Sequence, residues 1–402
     1  MKNIELNFQR LSESKEYAIE NIFQNEDYDW YGDWEGRALL AFLCHYQIHG
    51  KKISCMDELI KALPLHINSK LHFGPEFDGI TADEQQLSGH SWFLRGLIKY
   101  TQTFQNEFTL QVAKSIVENL YLPVVDWYKK YPLKRERQGG VSGTVTGVES
   151  GWKLSSDVGC AFMCVDGLAH YYEHTKDVRV KEILDKILEV FFLADYVKSG
   201  FQTHTTLSCA RGVLTLYKAT NDNKYLEKTE EIFKNYVQYG MTLTYENFNW
   251  FGREDTWTEP CAVVDSLILA TELYKITAKQ EYLTLARRIW FNGLQFCQRP
   301  NGGAGPNTCV KKGQPVLKAS MYEAPFCCTM RYAEGLLTYA QNESLFVWNE
   351  GAKQEKDVYG RVFIDDKMLV KVNGEYLPIF AGYTLSKEEL ENISIEVMSD
   401  SL

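Results

Sequence analysis

Apolar residues recur at helical spacing through most of this chain. GRALLAFLCHYQIHG (36–50), SWFLRGLIKYTQ (91–102), CVDGLAHYYEHT (164–175), LSCARGVLTLYKAT (207–220) and CAVVDSLILATELYKIT (261–277) each place them at i, i+3, i+4 and i+7. The pattern predicts amphipathic helices from residue 12 to residue 342. Near the end of four of them stands a Tyr-x-x-Thr tetrapeptide: Tyr100–Thr103, Tyr172–Thr175, Tyr217–Thr220 and Tyr274–Thr277. A polar turn and a second amphipathic stretch follow each, over 105–120, 178–192, 223–238 and 280–295. The unit is a helix hairpin repeated at irregular spacing. Stacked hairpins either extend as a solenoid or close into a double ring. The uneven period and the Gly-rich loops at 138–152 and 299–309 favour the ring, so a mainly α fold, an α/α toroid, is expected. After residue 345 the pattern turns to alternation and β-branched runs, in SLFVWNEG, GRVFIDDKMLVKVNGEYLPIF and ISIEVM, with Asn-Gly and Ala-Gly turns. This predicts a toroid domain over 1–345 and a short C-terminal β appendage over 346–402, which either packs on the toroid or begins a longer domain.

Composition narrows the function classes. The 402 residues are 45% hydrophobic and 24% charged, enough for a large core. A net charge of −10 with no basic cluster argues against nucleic acid and anionic membranes as partners. The first residues, MKNIELNFQRLSESKEY, lack the apolar region of a secretory signal, and no apolar run reaches the roughly 18 residues of a membrane span. Most of the 10 cysteines fall inside apolar helical patterns, which suits free thiols in a reducing, cytoplasmic setting.

Two short motifs carry the strongest chemical signal: Glu259-Pro260-Cys261 and Cys327-Cys328. Pro260 suits the first turn of the helix that follows it, and the cysteine pair also precedes a helix. In a closed ring, successive hairpins present helix N-termini on one rim. Glu259, Cys261, Cys327 and Cys328 could then converge as one carboxylate and three thiolates, a tetrahedral zinc donor set. Plain burial of small apolar side chains accounts for the cysteines equally well. A bond between Cys327 and Cys328 would strain both the peptide and the bridge. In TYENFNWFGREDTWTEPC (244–261), Glu246, Glu254 and Asp255 stand among Tyr245, Trp250, Phe251 and Trp257. Rings that stack on C–H faces beside carboxylates that bind hydroxyls suit a sugar site; a polar loop with packed aromatics is the plainer alternative. His90 and His204 lie near predicted helix starts and are placed to line the same rim, or to serve as capping or core residues. His174 reads as a solvated turn residue.

Over residues 25–345 the chain resembles the zinc-thiolate glycoside hydrolases typified by bacterial β-L-arabinofuranosidases, glycoside hydrolase family 127 and its relatives. The resemblance rests on Glu259-x-Cys261 opening a helix, the Tyr-x-x-Thr hairpin with ARRIWFNGL, the Gly-rich loop, and the paired Cys327-Cys328. Leu87–His90 and His204 are similar to the family's Gly-His elements. The resemblance implies an (α/α)6 barrel and a retaining mechanism on a furanoside, such as a β-L-arabinofuranoside or a related plant-polysaccharide sugar. It implies Cys327 as nucleophile, with Glu259, Cys261 and Cys328 completing the shell of a Zn2+ ion. Zinc keeps a thiolate ionised at neutral pH, and the thiolate takes the place of the usual second carboxylate. The general acid is assigned to Glu246, with Glu254 second. His90, His204, Trp250, Trp257, Glu254 and Asp255 are expected to bind the oligosaccharide or glycoside substrate. Two other readings stand beside this one. The first is a toroid hydrolase, lyase or epimerase working through Glu246, Asp255, His90 and His204. The second is a non-catalytic glycan-binding protein.

Overall fold

Helices make up most of the structure, a computed structural model that describes residues 2–23, 29–135, 141–310, 318, 320–347, 353–357, 361–372 and 375–378. They are α1 (Lys2–Glu13), α2 (Ile19–Ile22), α3 (Asp33–His49), α4 (Cys55–Ala62), α5 (Glu84–Phe104), α6 (Glu107–Ile116), α7 (Leu122–Val124), α8 (Cys164–Thr175), α9 (Val178–Phe191), α10 (Thr203–Thr220), α11 (Asn223–Tyr239), α12 (Pro260–Thr277), α13 (Gln280–Asn292) and α14 (Cys328–Gln341). The strands are β1 (Ala82–Asp83), β2 (Val145–Glu149), β3 (Trp152–Ser155), β4 (Gln354–Lys356), β5 (Val362–Ile364), β6 (Lys367–Val372) and β7 (Glu375–Pro378). Two units hold these elements: Phe8–Tyr236 with Trp250–Gly252, and Met1–Asn7 with Val237–Asn249 and Arg253–Leu402.

The Tyr-x-x-Thr segments are the corners of hairpins α5–α6, α8–α9, α10–α11 and α12–α13. At each corner the threonine hydroxyl donates to the carbonyl four residues back. Thr103 reaches Lys99 (2.7 Å), Thr175 reaches Tyr171 (2.9 Å), and Thr220 and Thr277 reach Leu216 and Leu273 (2.7 Å each). The next residue turns left-handed in three of them: Lys176 (φ 56°), Asn221 (φ 56°) and Ala278 (φ 55°). Its N–H closes on the carbonyl of the corner tyrosine. The first corner turns later, at Gln105 (φ 51°), whose N–H closes on Thr101. This is the left-handed C-cap that satisfies the last carbonyls of a helix. The threonine then accepts an N–H two residues on, from Asp177, Asp222 or Lys279 (3.3 Å each), which starts the second helix.

In the first unit, α3 packs on α5, α5 on α8 and α8 on α10. The helices touch backbone to backbone at glycines. A Cβ on Gly36 would fall 2.2 Å from the Phe93 nitrogen, on Gly167 2.7 Å from the Ser91 oxygen, and on Gly212 2.6 Å from the Asp166 nitrogen. Charged residues stand beside these glycines and join the same helices. Arg95 Nε lies 3.1 Å and Arg211 Nη1 3.9 Å from Asp166 Oδ2, with all three side chains nearly buried. Removing one member of such a cluster leaves the others buried without compensation.

In the second unit, α12 packs on α13 and α14, and Asp265 of α12 pairs with Arg331 of α14. Strands β4-β5-β6-β7 form an antiparallel sheet in that order. Its β5–β6 turn docks on α13. Arg287 Nη2 meets Asp365 Oδ1 at 2.6 Å, Arg288 Nε meets Asp366 Oδ1 at 3.0 Å, and the Asn292 side chain bridges the Asp366 carbonyl and the Met368 N–H. ISIEVM (393–398) and the turns at 373–374 and 381–382 lie outside the described residues. Among the described residues, no helix is long and apolar enough to cross a membrane.

Candidate metal centre

Two helix N-termini of the second unit build the site. Glu259 is the N-cap of α12, with extended backbone (φ −124°, ψ 112°), and Pro260 follows as the first helical residue. Proline fits there because its φ is already helical and that N–H would go unbonded. The N–H of Glu259 donates to Asn247 Oδ1 at 2.8 Å, tying the preceding loop to the helix start. Cys261 is fully buried in the first turn. Helix α14 starts at Cys328, which is also buried, and Cys327 is its N-cap (φ −142°, ψ −66°), half-buried.

The sulfurs converge. Cys327 Sγ lies 3.3 Å and Cys261 Sγ 4.0 Å from Cys328 Sγ, and all three fall within 4.8 Å of one another. A Glu259 carboxylate oxygen lies within 4.8 Å of the Cys261 sulfur. All of these cysteines are free thiols. Two thiolates on a tetrahedral zinc, at about 2.3 Å each, stand about 3.8 Å apart, so the separations to Cys328 bracket the spacing such a metal would impose. The cluster can hold a metal ion. Burial first, then the neighbouring Cys261 and Cys327, push the Cys328 thiol well above its ordinary range. A bound dication would reverse that balance, because it would stabilise the ionised sulfur. Tyr322 borders the cluster: burial, then Cys328, Cys327 and Glu259, raise its phenol to about 12.

Each of the other sequence candidates has its own surroundings. Glu246, expected as general acid, is fully buried, with its carboxylate engaged on every side. Lys318 Nζ pairs with Oε2 at 2.7 Å, Thr244 Oγ1 donates to Oε2 at 3.0 Å, and Asn307 Nδ2 donates to Oε1 at 2.7 Å. Both carboxylate oxygens are thus committed to partners within the fold. In the same unit Asp255 is exposed and forked onto Arg253 (2.7 and 2.8 Å), Glu254 is exposed, and Trp257 is half-buried in a bridge with Thr308.

Sequence spacing puts His90 near a helix start. Helix α5 instead begins at Glu84, capped by Asp83, so His90 lies well inside it. Its Nδ1 meets the Gln86 carbonyl at 2.8 Å and its Nε2 accepts from the Phe73 N–H at 3.1 Å. Burial, then His72, lower its pKa to about 3. Both ring nitrogens are committed to backbone, which suits a neutral ring. Trp250 is likewise buried, its indole N–H donating to the Ser156 carbonyl at 3.1 Å. His204, the second residue of α10, is buried and stacks on Trp92 with centroids 5.7 Å apart.

Sequence reasoning passed over two features. Met321, Tyr322 and Phe326, next to the cysteine pair, are exposed. Glu35 in the first turn of α3 is buried, and burial, with Asp33 nearby, lifts its carboxyl to about 8. The letters were visible, but exposure and burial at these positions depend on distant parts of the chain.

Neither a protein-family model nor a curated protein matches this chain. Solved structures do. A cellobiose 2-epimerase from Bacillus thermoamylovorans superposes with a TM-score of 0.55 at 15% identity, over 77% of this chain and 87% of that one. A glycoside hydrolase family 127 β-arabinofuranosidase gives 0.55 at 13% identity, covering 93% of this chain. The chain spans 62% of that enzyme's length. A family 76 α-mannanase from Bacteroides thetaiotaomicron gives 0.52 at 12%, over 79% and 87%. At these identities the likeness is one of fold: the chain is mainly helical, with the α/α-toroid fold of this group.

Proposed function

We propose that this chain is a retaining glycoside hydrolase with Cys327 as nucleophile and a zinc ion held by Glu259, Cys261, Cys327 and Cys328. We propose as substrate a furanoside such as a β-L-arabinofuranoside or a related plant-polysaccharide sugar. The observation that carries this is the convergence of three thiols of which Cys327 is the one not fully buried. A β-arabinofuranosidase among the fold neighbours supports it.

Zinc bound there would supply the positive charge that keeps the thiols ionised at neutral pH. Cys261 and Cys328, in the first turns of α12 and α14, are the buried anchors. Cys327, at the mouth of α14, faces the dipole that favours its thiolate. Its sulfur attacks the anomeric carbon; the C–S bond forms as the glycosidic C–O bond breaks, and a carboxyl gives its proton to the leaving oxygen. Water, deprotonated by the same carboxylate, then displaces the sulfur. The two inversions leave the configuration retained. With Glu246 committed to Lys318, the exposed Glu254 is the remaining sequence candidate for the proton donor. An epimerase working through paired histidines fits less well, because His90 has no nitrogen to offer.

Turnover of an aryl-glycoside panel by wild type and Cys327→Ser tests the proposal. A furanoside is expected to be hydrolysed with retention, and the variant to lose at least about 1000-fold in kcat with its fold intact. Unchanged turnover in Cys327→Ser refutes the nucleophile assignment.

A further inference from the structure

The segment before the cysteine pair combines a fixed backbone with exposed apolar side chains. Met321 is 46%, Tyr322 51% and Phe326 39% exposed. Such side chains gain by leaving water, and clusters of them on a folded surface mark binding sites. The backbone beneath them is pinned. The Met321 N–H donates to the Pro306 carbonyl and the Ala324 N–H to the Ala304 carbonyl, each at 3.0 Å. The nearly buried Arg299 guanidinium donates to the carbonyls of Pro306 (2.6 Å) and Tyr322 (3.3 Å). Glu323 accepts from Asn301 at 2.6 Å and Thr329 at 3.1 Å. Gly305 passes so close that a Cβ there would meet the Tyr322 carbonyl at 1.8 Å. A segment held this firmly loses little entropy on binding, yet its aromatic rings are left in water.

The position of Tyr322 indicates the occupant. The segment runs straight into the thiol centre, because Phe326 directly precedes Cys327, the N-cap of α14; Cys328, Cys327 and Glu259 also act on the Tyr322 phenol. An exposed ring beside a reactive thiol suits the C–H face of a saccharide.

We infer that Tyr322 and Phe326 form the platform on which the saccharide stacks while its anomeric carbon meets Cys327. This rests on the hydrolase reading above and names substrate-contacting residues that the sequence motifs do not include. The platform replaces Trp250, whose ring is buried in the first unit.

Kinetics on the best aryl furanoside, together with saturation-transfer NMR on the corresponding free sugar, test the inference. Tyr322→Ala and Phe326→Ala are each expected to raise KM about 10-fold, the ratio that roughly 1.4 kcal/mol of stacking corresponds to. Expected alongside are a kcat changed by no more than about 3-fold and unchanged zinc content. Tyr322→Phe, which keeps the ring, should restore KM to near the wild-type value. An unchanged KM in both alanine variants, with zinc and kcat intact, overturns the platform and leaves the hydrolase reading standing. If the wild type cleaves no furanoside, that reading fails and the NMR arm decides alone. A saturation-transfer signal that is present in the wild type and disappears in the alanine variants supports the platform; no signal in the wild type overturns it. A change of oligomeric state in Phe326→Ala with the sugar signal unchanged assigns the patch to a second copy of this chain and also overturns it.

Discussion

Cys261 and Cys328 stand 67 residues apart in sequence, yet their sulfurs lie 4.0 Å from each other. Two buried thiols at that distance repel once ionised, and the proposed shared cation would offset that repulsion. Cys261→Ser replaces a thiolate with a poor zinc ligand. Metal affinity should fall more than the roughly 10- to 100-fold typical of losing an outer-shell partner. Competition against a chromogenic chelator measures this; equal affinity in the variant would remove Cys261 from the shell.

Glu246 and Lys318 form a second test. Both side chains are fully buried and 2.7 Å apart. Removing one partner of such a pair costs about 3–5 kcal/mol. Lys318→Met should lower the urea midpoint by a matching amount. Glu246→Gln should also destabilise while leaving turnover per folded molecule within a few-fold. Collapse of turnover in a well-folded Glu246→Gln would restore the general-acid role that its surroundings argue against.

The two readings of Glu246 show where sequence stops being informative. A carboxylate among aromatic residues has the composition of a sugar site. The partner of that carboxylate is a lysine distant in sequence, with no periodic pattern to predict its position. His90 departs from its sequence reading for a similar reason. The apolar run suggests a later helix start, while Asp83 caps the helix at Glu84 and Phe73 reaches in from a preceding loop. The hairpins are legible because Tyr-x-x-Thr encodes its own corner through local hydrogen bonds. The thiol pair is legible because adjacent cysteines at a helix mouth are rare and the Glu-Pro-Cys motif repeats that placement. The glycines and charges that join α3, α5, α8 and α10 are not. Their meaning lies in the packing of one helix on another, which the periodicity of any single helix does not reveal.

Glu35 gives the stability a pH signature. Burial raises its carboxyl from 4.5 to about 8, so the folded protein keeps a proton that the unfolded chain releases above 4.5. Its contribution therefore turns against the fold as pH rises through that window and levels off above 8. The full effect is on the order of 3–5 kcal/mol. Urea midpoints of wild type and Glu35→Gln should diverge from pH 5 to pH 8, with the variant more stable at the alkaline end. Parallel curves would show that Glu35 is not held protonated.

His90 acts at the acid end. With its pKa lowered from 6.5 to about 3, the folded state refuses a proton that the unfolded chain accepts, so stability is lost as pH falls below 6.5. His90→Gln should flatten the acid limb between pH 6 and pH 4, even if it lowers stability at pH 7 by removing backbone hydrogen bonds. An acid limb as steep as the wild type's would contradict this.

Zinc K-edge X-ray absorption of the full chain tests the central claim most directly. The account predicts bound zinc with three sulfur scatterers at about 2.3 Å and one oxygen, falling to two sulfurs in Cys327→Ser. Absence of bound metal, or a shell of oxygen and nitrogen alone, would contradict it.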